Sequence, residues 1–492
     1  MKNPNQWFLS GGRLRFLTML AGGTFFMLMI GVSHLQAQTS SSQRERLLAE
    51  PFRLMMDQEV PTEKRALLDW GGWFRSSYWG LDEKVDRNFD GRKDVFRGLR
   101  EQEFRLWGFF NIDQVHNFYG RMKLDYLDWN NSSSYNNNES DWQGPNLERG
   151  WYDFRLSRYR AAYGIAQNDY DLGVRVGRQY VEFGTGLALS VPLDAILLTG
   201  YYRNWQLTAL GALSIPSSYN IDRSFPGNSK ESRCYWGVEL RYRGWIDHQP
   251  FVYYFEQADK DAGSVRAFVD NPQSFGYDSR YVGLGSTGRF FHKDLLYICE
   301  IVGEFGKSYA WPGVDERQNI HAWAFDTELR YLLRDARLTQ FELEYLLASG
   351  DSDRTFTPTN TIGGNKPHSV DHSFVGWGFR DTGLTMAPRL SNLGMIRMGV
   401  STFPMNHLKR FRGLKVGTNL YLFHKQQGEG AVSDNLSYRT NSYLGSEMDL
   451  YADWRLTSDL SWMVRYGMFL PGDAFFQENP RHLFYTGVTL SF

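Results

Sequence analysis

The sequence predicts an all-β protein: a transmembrane antiparallel β-barrel of about 18 strands, preceded by a signal peptide and a short periplasmic segment. Three observations predict it. Segments from Trp70 onward alternate apolar and polar residues, the gaps between them alternate short and long, and the chain ends on a strand. Aromatic residues, which favour strands, make up 16% of the 492 residues. The formal net charge of −1 argues against a nucleic-acid-binding protein.

The first element is an export signal. Lys2, Arg13 and Arg15 precede the apolar run 16–32, and the small residue Ala37 follows at a suitable cleavage position. An uncleaved anchor helix is the alternative, because the run is long for a signal peptide. The predicted domains are a signal peptide at 1–37, a periplasmic segment at 38–69 and the barrel at 70–492.

The barrel strands are recognised by residues that alternate between two faces. Phe325 and Leu329 share one face of a segment in which Asp326, Glu328 and Arg330 share the other. A barrel of this many strands is too wide for side chains to fill. We therefore expect the polar face to point into a wet lumen and the apolar face to point toward lipid. A soluble sandwich or β-helix is the alternative.

The lengths of the gaps predict the topology. The even gaps are mostly short, as at 247–249 and 334–337, whereas the odd gaps are long and include 182–193, 306–320 and 350–390. Tight periplasmic turns and long extracellular loops are typical of outer-membrane barrels, in which both termini lie in the periplasm. A long loop that folds inward would narrow the channel, and the alternation says nothing about this.

The predicted strands include 151–164, the fourth, and 482–492, the last. In the last strand Phe484, Val488 and the terminal Phe492 share the face assigned to lipid. This strand is expected to close the barrel against the first one, which removes an edge that lipid would not tolerate. A terminal Phe resembles the signal by which the barrel-assembly machinery recognises its substrates.

Several stretches resemble the alginate-export family of outer-membrane porins. They are VRVGRQYVEFGTG, AFDTELRYLL, YLLASGDSD, GWGFRDTGLTMAPRLSNLGMIRMGV, GSEMDLYADWRL and YGMFLPGDAF, and they follow one another between about Leu99 and Phe492. The family has an eighteen-stranded barrel. The resemblance implies an outer-membrane channel that passively exports an anionic, alginate-like polysaccharide through a cationic pore. It also implies periplasmic proteins that deliver the polymer.

Inward-facing arginines are the predicted substrate path. Carboxylates that lose water in a constriction must be compensated, and arginine binds them bidentately. The alternation places in the lumen Arg175, Arg241, Arg243, Arg330, Arg397 and Arg465. Arg178 and Arg380 match positions of the family's motifs and are added to this set. Inward acids accompany the arginines, so a general diffusion porin for small solutes, alone or in an envelope-spanning complex, is the alternative function.

One predicted extracellular loop has the oxygen spacing of a calcium loop. The oxygens belong to Asp86, Asn88, Asp90 and Asp94. The final bidentate Glu is missing, because residue 97 is Arg, so a plain hairpin loop is the alternative. No other cofactor is expected.

Catalysis is not predicted. The sequence has no Gly-x-Ser-x-Gly, no phosphate loop and no zinc-spaced His/Cys cluster. A barrel enzyme with a Ser/His pair assembled in space is a minor alternative. Cys234 and Cys299 do not form a disulfide framework, and two unpaired thiols are favoured over a bridge.

Overall fold

The computed structural model describes residues 66–82, 96–130, 140–216, 232–260, 265–268, 271–274, 276–290, 294–311, 314, 316–354, 366–378, 380–434, 436–476 and 478–492. The strands in these residues are β1 (Ala66–Asp82), β2 (Phe96–Ile112), β3 (His116–Trp129), β4 (Asp141–Arg155), β5 (Tyr170–Phe183), β6 (Leu189–Tyr202), β7 (Trp205–Ser214), β8 (Arg233–Tyr242), β9 (His248–Asp259), β10 (Val265–Phe268), β11 (Asn271–Ser274), β12 (Asp278–Phe290), β13 (Leu295–Ala310), β14 (Arg317–Leu332), β15 (Gln340–Ala348), β16 (Val370–Asp371), β17 (Trp377–Gly378), β18 (Leu393–Thr402), β19 (Leu414–His424), β20 (Tyr443–Arg455), β21 (Leu460–Pro471) and β22 (Arg481–Ser491). A helix, α1 (Leu156–Ala162), and a 3-10 turn at Lys409–Phe411 accompany them.

Eighteen of these strands form a closed antiparallel barrel, as the sequence predicted. The strands outside this set are the separate hairpin β10–β11 and the short strands β16 and β17, which pair in parallel with residues near the start of β14 and of β6. Each barrel strand pairs with the next along the chain, and β22 pairs back with β1.

The carboxyl terminus completes the closure. Trp73 pairs with Ser491 and Asp82 pairs with His482 in the β1–β22 register. Beyond it, Gly72 N donates to Phe492 O over 2.9 Å, and Phe492 N donates to Gly72 O over 3.0 Å. The chain therefore ends inside the hydrogen-bonded sheet rather than in a frayed tail.

The two faces of the barrel are apolar outside and polar inside, as the alternation predicted. Among the outward residues that remain exposed are Leu284, Ile301, Leu343, Leu420 and Leu450. Their neighbours on the inner face of the same strands are buried and charged or polar, including Glu300, Glu342, Glu344, Asn419 and Asp449. Such an outer surface suits lipid and not water.

The observed strands and connections differ from the prediction at three places. The fourth strand is β4, and its predicted second half is the helix α1 instead. The segment LSRYRAA has no β-branched residue, and Asp171 accepts hydrogen bonds from the Ser157 N–H and hydroxyl at 2.6 and 2.7 Å, which caps the helix start. The long gaps predicted at 182–193 and 306–320 shrink to 184–188 and 311–316, because the flanking strands continue.

An apolar core occupies part of the barrel interior. It includes Phe183 and Leu187 near the β5–β6 connection, and Phe374 and Trp377 from the segment before β18. We call residues 366–378 and 380–392 the inward segment. Trp377 N donates to Ala188 O over 2.8 Å, which joins this segment to the β5–β6 connection inside the barrel.

The core divides the barrel wall into two parts. Every barrel strand from β5 to β21 contributes a buried residue to the core, and we call the inner face of these strands the core wall. None of the residues of this core, among those described, lies on β22 or on β1 to β4, where Phe109, Tyr119 and Trp151 form a separate, smaller buried cluster. The inner face of these five strands is named the bare wall.

Several predictions fall outside the described residues. The signal peptide and most of the periplasmic segment lie there, although β1 already begins at Ala66, within the predicted segment 38–69. The calcium loop with Asp86, Asn88, Asp90 and Asp94 also lies there and stays a prediction. Within the described part of the chain, no helix has the length and apolar character needed to cross a membrane.

Candidate functional site

The lumen of the barrel is the candidate site, and most of the predicted arginines line it. Five of them project inward from strands and are each held by a carboxylate: Arg175, Arg241, Arg330, Arg397 and Arg465. Arg380 joins them from the inward segment. Arg243 follows the end of β8 and lies over the ring of Tyr201 at 5.8 Å, at the mouth that holds the turns.

The densest charge network surrounds Arg380 and Arg397. Arg397 approaches Glu344 at 2.7 Å and Asp381 at 3.6 Å. Arg380 forms an ion pair with Asp326, lies 3.5 Å from Glu344, and donates to the carbonyl of Thr185 over 3.3 Å. The network therefore ties the inward segment to both the β14–β15 wall and the β5–β6 connection.

Two further arginines line the core wall nearer the turns. Arg330 bridges Glu328 at 2.6 Å and Glu342 at 3.1 Å, and Arg465 reaches Asp453 at 2.6 Å. In both cases the partner lies on the same or an adjacent strand. These pairs follow directly from strand alternation, which put both signs of charge on one face.

Arg241, on β8, holds the β5–β6 connection in place by hydrogen bonds. Its guanidinium donates hydrogen bonds to the Glu239 carboxylate over 3.1 Å and to the Gly184 carbonyl over 3.0 Å. Glu239 in turn accepts from the Gly184 N–H over 2.6 Å. Gly184 has φ +63°, and a Cβ there would lie 2.7 Å from side-chain atoms of both Glu300 and Tyr253, so any other residue would be strained in this turn.

Arg178 does not reach the lumen. It pairs with Asp194 at 2.8 Å, and both residues lie on the outward face, in register with outward Leu213. It also donates to the Leu147 carbonyl over 2.8 Å. Alternation from inward Arg175 places Arg178 outward, so the match to a family motif was the misleading guide, and this part of the prediction is wrong.

Wall carboxylates hold the inward segment through its backbone, and the sequence analysis did not assign them this role. Glu304 accepts from the Val375 N–H at 2.9 Å and from the hydroxyls of Tyr277 and Tyr281. Glu447 accepts from three consecutive N–H groups, at residues 384, 385 and 386, over 2.7 to 2.9 Å. Each anchor satisfies buried donors that have no strand partner.

One buried ion pair holds the inward segment outside the strands that span the membrane. Arg354 lies 2.6 Å from Asp371, which also accepts from Ser308 and from the Ser373 N–H. Burial raises the pKa of Asp371, but the Arg354 guanidinium and these hydrogen bonds outweigh it and hold the pKa below its usual value. Asp371 is therefore a carboxylate at neutral pH.

Further cations line the bare wall, among them Arg75, Arg105, Arg121 and Lys123. The sequence analysis missed them, although the alternation in REQEFRLW places Glu101, Glu103, Arg105 and Trp107 on one face. Three carboxylates of this wall, Glu101, Glu103 and Asp125, come within metal-ligand spacing of one another. Lys123 lies 2.7 Å from Asp125 and Arg75 lies 2.7 Å from Glu103, so we interpret the group as an ion-pair network.

The two cysteines are free thiols, as the sequence analysis favoured. Cys234 and Cys299 both lie on the outward face, between lipid-facing neighbours of β8 and β13. Neither takes part in the luminal network.

A closed barrel with an apolar outside and a charged interior defines an outer-membrane channel. The particular family follows from a family model for alginate export, which matches residues 103–489. The chain therefore belongs to the alginate export family. It lies in the outer membrane.

Solved structures agree with this fold. OccK5 (OpdH) of Pseudomonas aeruginosa is 12% identical with a TM-score of 0.52, over 86% of this chain and 98% of that one. OccK8 (OprE) of Pseudomonas aeruginosa is 11% identical with a TM-score of 0.50, over 86% and 98% of the two chains. At these identities the likeness concerns the fold alone. Among curated proteins, none matches the chain.

Proposed function

We propose that this channel passively conducts an anionic, alginate-like polysaccharide across the outer membrane. The observation that carries the proposal is a layering of charge in the lumen. In most luminal pairs the cation is nearer the water than its acid, so the acids act as an inner layer that holds the cations in place. An anionic chain in the lumen then meets guanidinium and ammonium groups first.

The exposed fractions of the paired side chains define this layering. Arg75 is 21% exposed against 1% for Glu103, and Arg175 is 36% exposed against 8% for Asp153. Lys123 is 26% exposed against 9% for Asp125. Arg330 and Arg380 follow the same order, with their acids almost fully covered. Several pairs reverse this order, among them Arg465–Asp453, Arg397–Asp381, Arg397–Glu328, Arg105–Glu148 and Arg121–Glu148.

A general diffusion porin for small solutes is the second candidate. It is favoured by the fact that each predicted luminal arginine on a strand has a carboxylate within ion-pair distance, which weakens the net field along the path. The two candidates differ in one measurable property. An exporter of a polyanion should select anions and be blocked by the polymer, whereas a general porin should not.

Partners of the channel follow from the same proposal. A polymer that enters from the periplasm needs delivery proteins at the turn-bearing mouth, where α1 and Arg243 lie. Insertion of the chain is proposed to depend on the barrel-assembly machinery through the terminal Phe492. We propose no catalytic step for the lumen.

Planar-bilayer recording of the purified protein tests the proposal. We expect a reversal potential that indicates anion selectivity, and current block by added polyuronate. Arg175→Ala combined with Arg330→Ala should shift the reversal potential toward cations and weaken the block. Arg178→Ala is the matched control for the Arg175 substitution, because it removes one arginine from the outer face of the same strand. A cation-selective wild-type channel that polyuronate does not block would exclude anionic export.

A further inference from the structure

The bare wall is the part of the lumen that the apolar core leaves uncovered. The core residues run from Val181 to Phe475 along the chain, and the inward segment packs against strands of the core wall. Among the described residues, nothing from that core lies on the inner face of β22 or of β1 to β4. A polymer that crosses the barrel beside the core therefore runs along the bare wall.

Aromatic rings line the bare wall at several heights. They are Trp79 and Trp129 near the loops, Trp73 in the middle, and Trp107, Tyr119 and Trp151 near the turns. Trp79 and Trp129 meet edge to face with centroids 6.0 Å apart. The lower three stack in sequence, with centroids 6.4 Å apart for Trp107–Tyr119 and 5.3 Å for Tyr119–Trp151.

These rings do not belong to the aromatic belts of the membrane interface. Belt residues face outward at the two headgroup levels. Each of the six rings lies on the inward register instead: Trp73 pairs across the strands with Arg105, and its indole N–H donates to Glu103 over 3.3 Å. The outward neighbours Phe74 and Phe104 are exposed on the other side of the wall.

Cations accompany the rings. The guanidinium of Arg105 lies 5.3 Å from the Trp73 ring centroid and that of Arg121 lies 5.6 Å from it. Arg175 lies 4.5 Å from the Trp151 ring. Arg121 is almost fully buried beside Tyr119, and its Nε donates to Glu148 over 2.6 Å, so it holds the wall together beneath Trp73. Arg105 and Arg175, which are 11% and 36% exposed, remain open to the lumen.

We infer that the bare wall is a binding surface for a saccharide chain that carries carboxylates, along which the chain moves from ring to ring. The half-buried rings of Trp73, Trp79, Trp107 and Trp129 contact the apolar faces of the sugar rings. Tyr119 and Trp151 are 4% and 8% exposed and support Trp107 from within the wall. Arg105 and Arg175 bind the carboxylates. A stacking contact between an aromatic side chain and a sugar ring does not require one exact position. A saccharide chain can therefore move in steps from one aromatic side chain to the next. The inference rests on the proposed function, because it assumes that the cargo is a saccharide.

Block of single-channel current tests this inference. The probes are a short oligouronate and a neutral oligosaccharide of the same length. Trp73→Ala combined with Trp107→Ala should shorten the residence time of both sugars about tenfold, because stacking contacts are lost. The reversal potential should stay as in the wild type, because no charge is removed.

Two further variants make the test specific. Tyr451→Ala is the matched control: Tyr451 also carries an arginine, Arg465 at 5.2 Å, but lies on the core wall. It should leave both residence times unchanged. Trp73→Phe keeps a ring but loses the N–H that donates to Glu103, and should retain most of the wild-type block. The heat-dependent shift in electrophoretic mobility checks that every variant is a folded barrel.

The possible outcomes separate this inference from the proposed function. Equal residence times in the wild type and the Trp73/Trp107 double variant, or equal losses in that variant and Tyr451→Ala, overturn the bare wall as the contact surface. Anion selectivity then still supports the proposed function. A cation-selective channel in which the double variant relieves block by the neutral sugar supports the surface and overturns anionic export. A wild-type channel that neither sugar blocks overturns the inference.

Discussion

The core wall and the bare wall come from the same alternating strands, yet they meet different partners. Inward carboxylates of the core wall, such as Glu304 and Glu447, bind backbone N–H groups of the inward segment. Inward carboxylates of the bare wall, such as Glu103 and Asp125, bind cations that face the lumen. An inward carboxylate can thus anchor a loop or orient a cation, depending on which group packs against it.

The largest expected effect comes from removing the inward segment, which packs against the core wall. Replacing residues 366–392 by a short Gly/Ser linker should raise single-channel conductance several-fold, because the inward segment and the core side chains that it contributes leave the lumen. The control shortens the β3–β4 hairpin between Leu127 and Asp141, where residues 141–147 are exposed on both faces. Unchanged conductance in a folded loop variant would show that current does not pass beside the core.

The Arg354–Asp371 pair should give the next largest effect. Asp371→Asn removes the carboxylate that lies 2.6 Å from buried Arg354, and breaking a buried pair costs about 3–5 kcal/mol. Hydrogen–deuterium exchange within residues 366–378 should increase accordingly. The control Asp128→Asn breaks the exposed pair with Arg100 and should cost about 1 kcal/mol or less. Equal exchange in both variants would contradict an anchoring role for Asp371.

This pair also predicts a pH dependence. The pKa of folded Asp371 lies below its unfolded value, so its contribution is fully present above about pH 3.9, the usual aspartate pKa. The contribution is lost as the pH falls through the lowered folded pKa. The difference in exchange of residues 366–378 between Asp371→Asn and the wild type should therefore stay constant from neutral pH down to about pH 4. A difference that already shrinks near pH 6 would contradict a lowered pKa for Asp371.

A pair of glutamate substitutions compares the two walls directly. Glu304→Ala leaves the Tyr277 hydroxyl and the Val375 N–H without their acceptor, whereas the Tyr281 hydroxyl keeps the Val375 carbonyl, and the cost should be about 3 kcal/mol in the free energy of unfolding. Glu101→Ala on the bare wall removes a 3.5 Å contact with Ser77 and should cost less than about 1 kcal/mol. Guanidinium unfolding in detergent micelles measures both. Similar losses would mean that the two walls do not differ.

The sequence predicted the face of the strand on which a residue lies, because this depends on the two-residue period. It did not predict contacts between residues that are distant in sequence. Alternation is a local property, so it placed Arg330 and Arg397 inward correctly and accounts for Arg178 on the outer face. The inward segment has no such period. Its position depends on contacts such as that between Val375 and Glu304, which are 71 residues apart. The sequence raised an inward fold of the 350–390 loop but held no local signal for its partners.

The smallest expected effect concerns the terminal residue on the bare-wall side of the barrel. Phe492 stacks on Phe104 with centroids 6.1 Å apart and planes inclined by 21°. Phe492→Ala keeps the two backbone hydrogen bonds to Gly72 and loses only the ring, so the free energy of unfolding should fall by about 1 kcal/mol. Deleting Phe492 removes those bonds as well and should impair membrane assembly while leaving secretion intact.

Phe484→Ala separates ring stacking from lipid contact. Phe484 lies on the same strand, faces lipid and is 41% exposed, against 57% for Phe492, and no aromatic stacking involves it among the described residues. Both substitutions remove the same atoms from lipid, so a greater loss for Phe492→Ala measures the stacking on Phe104. If Phe484→Ala is as destabilising, the terminal ring acts only through lipid. Any assembly defect of the deletion is then due to the backbone bonds or to recognition of the chain end.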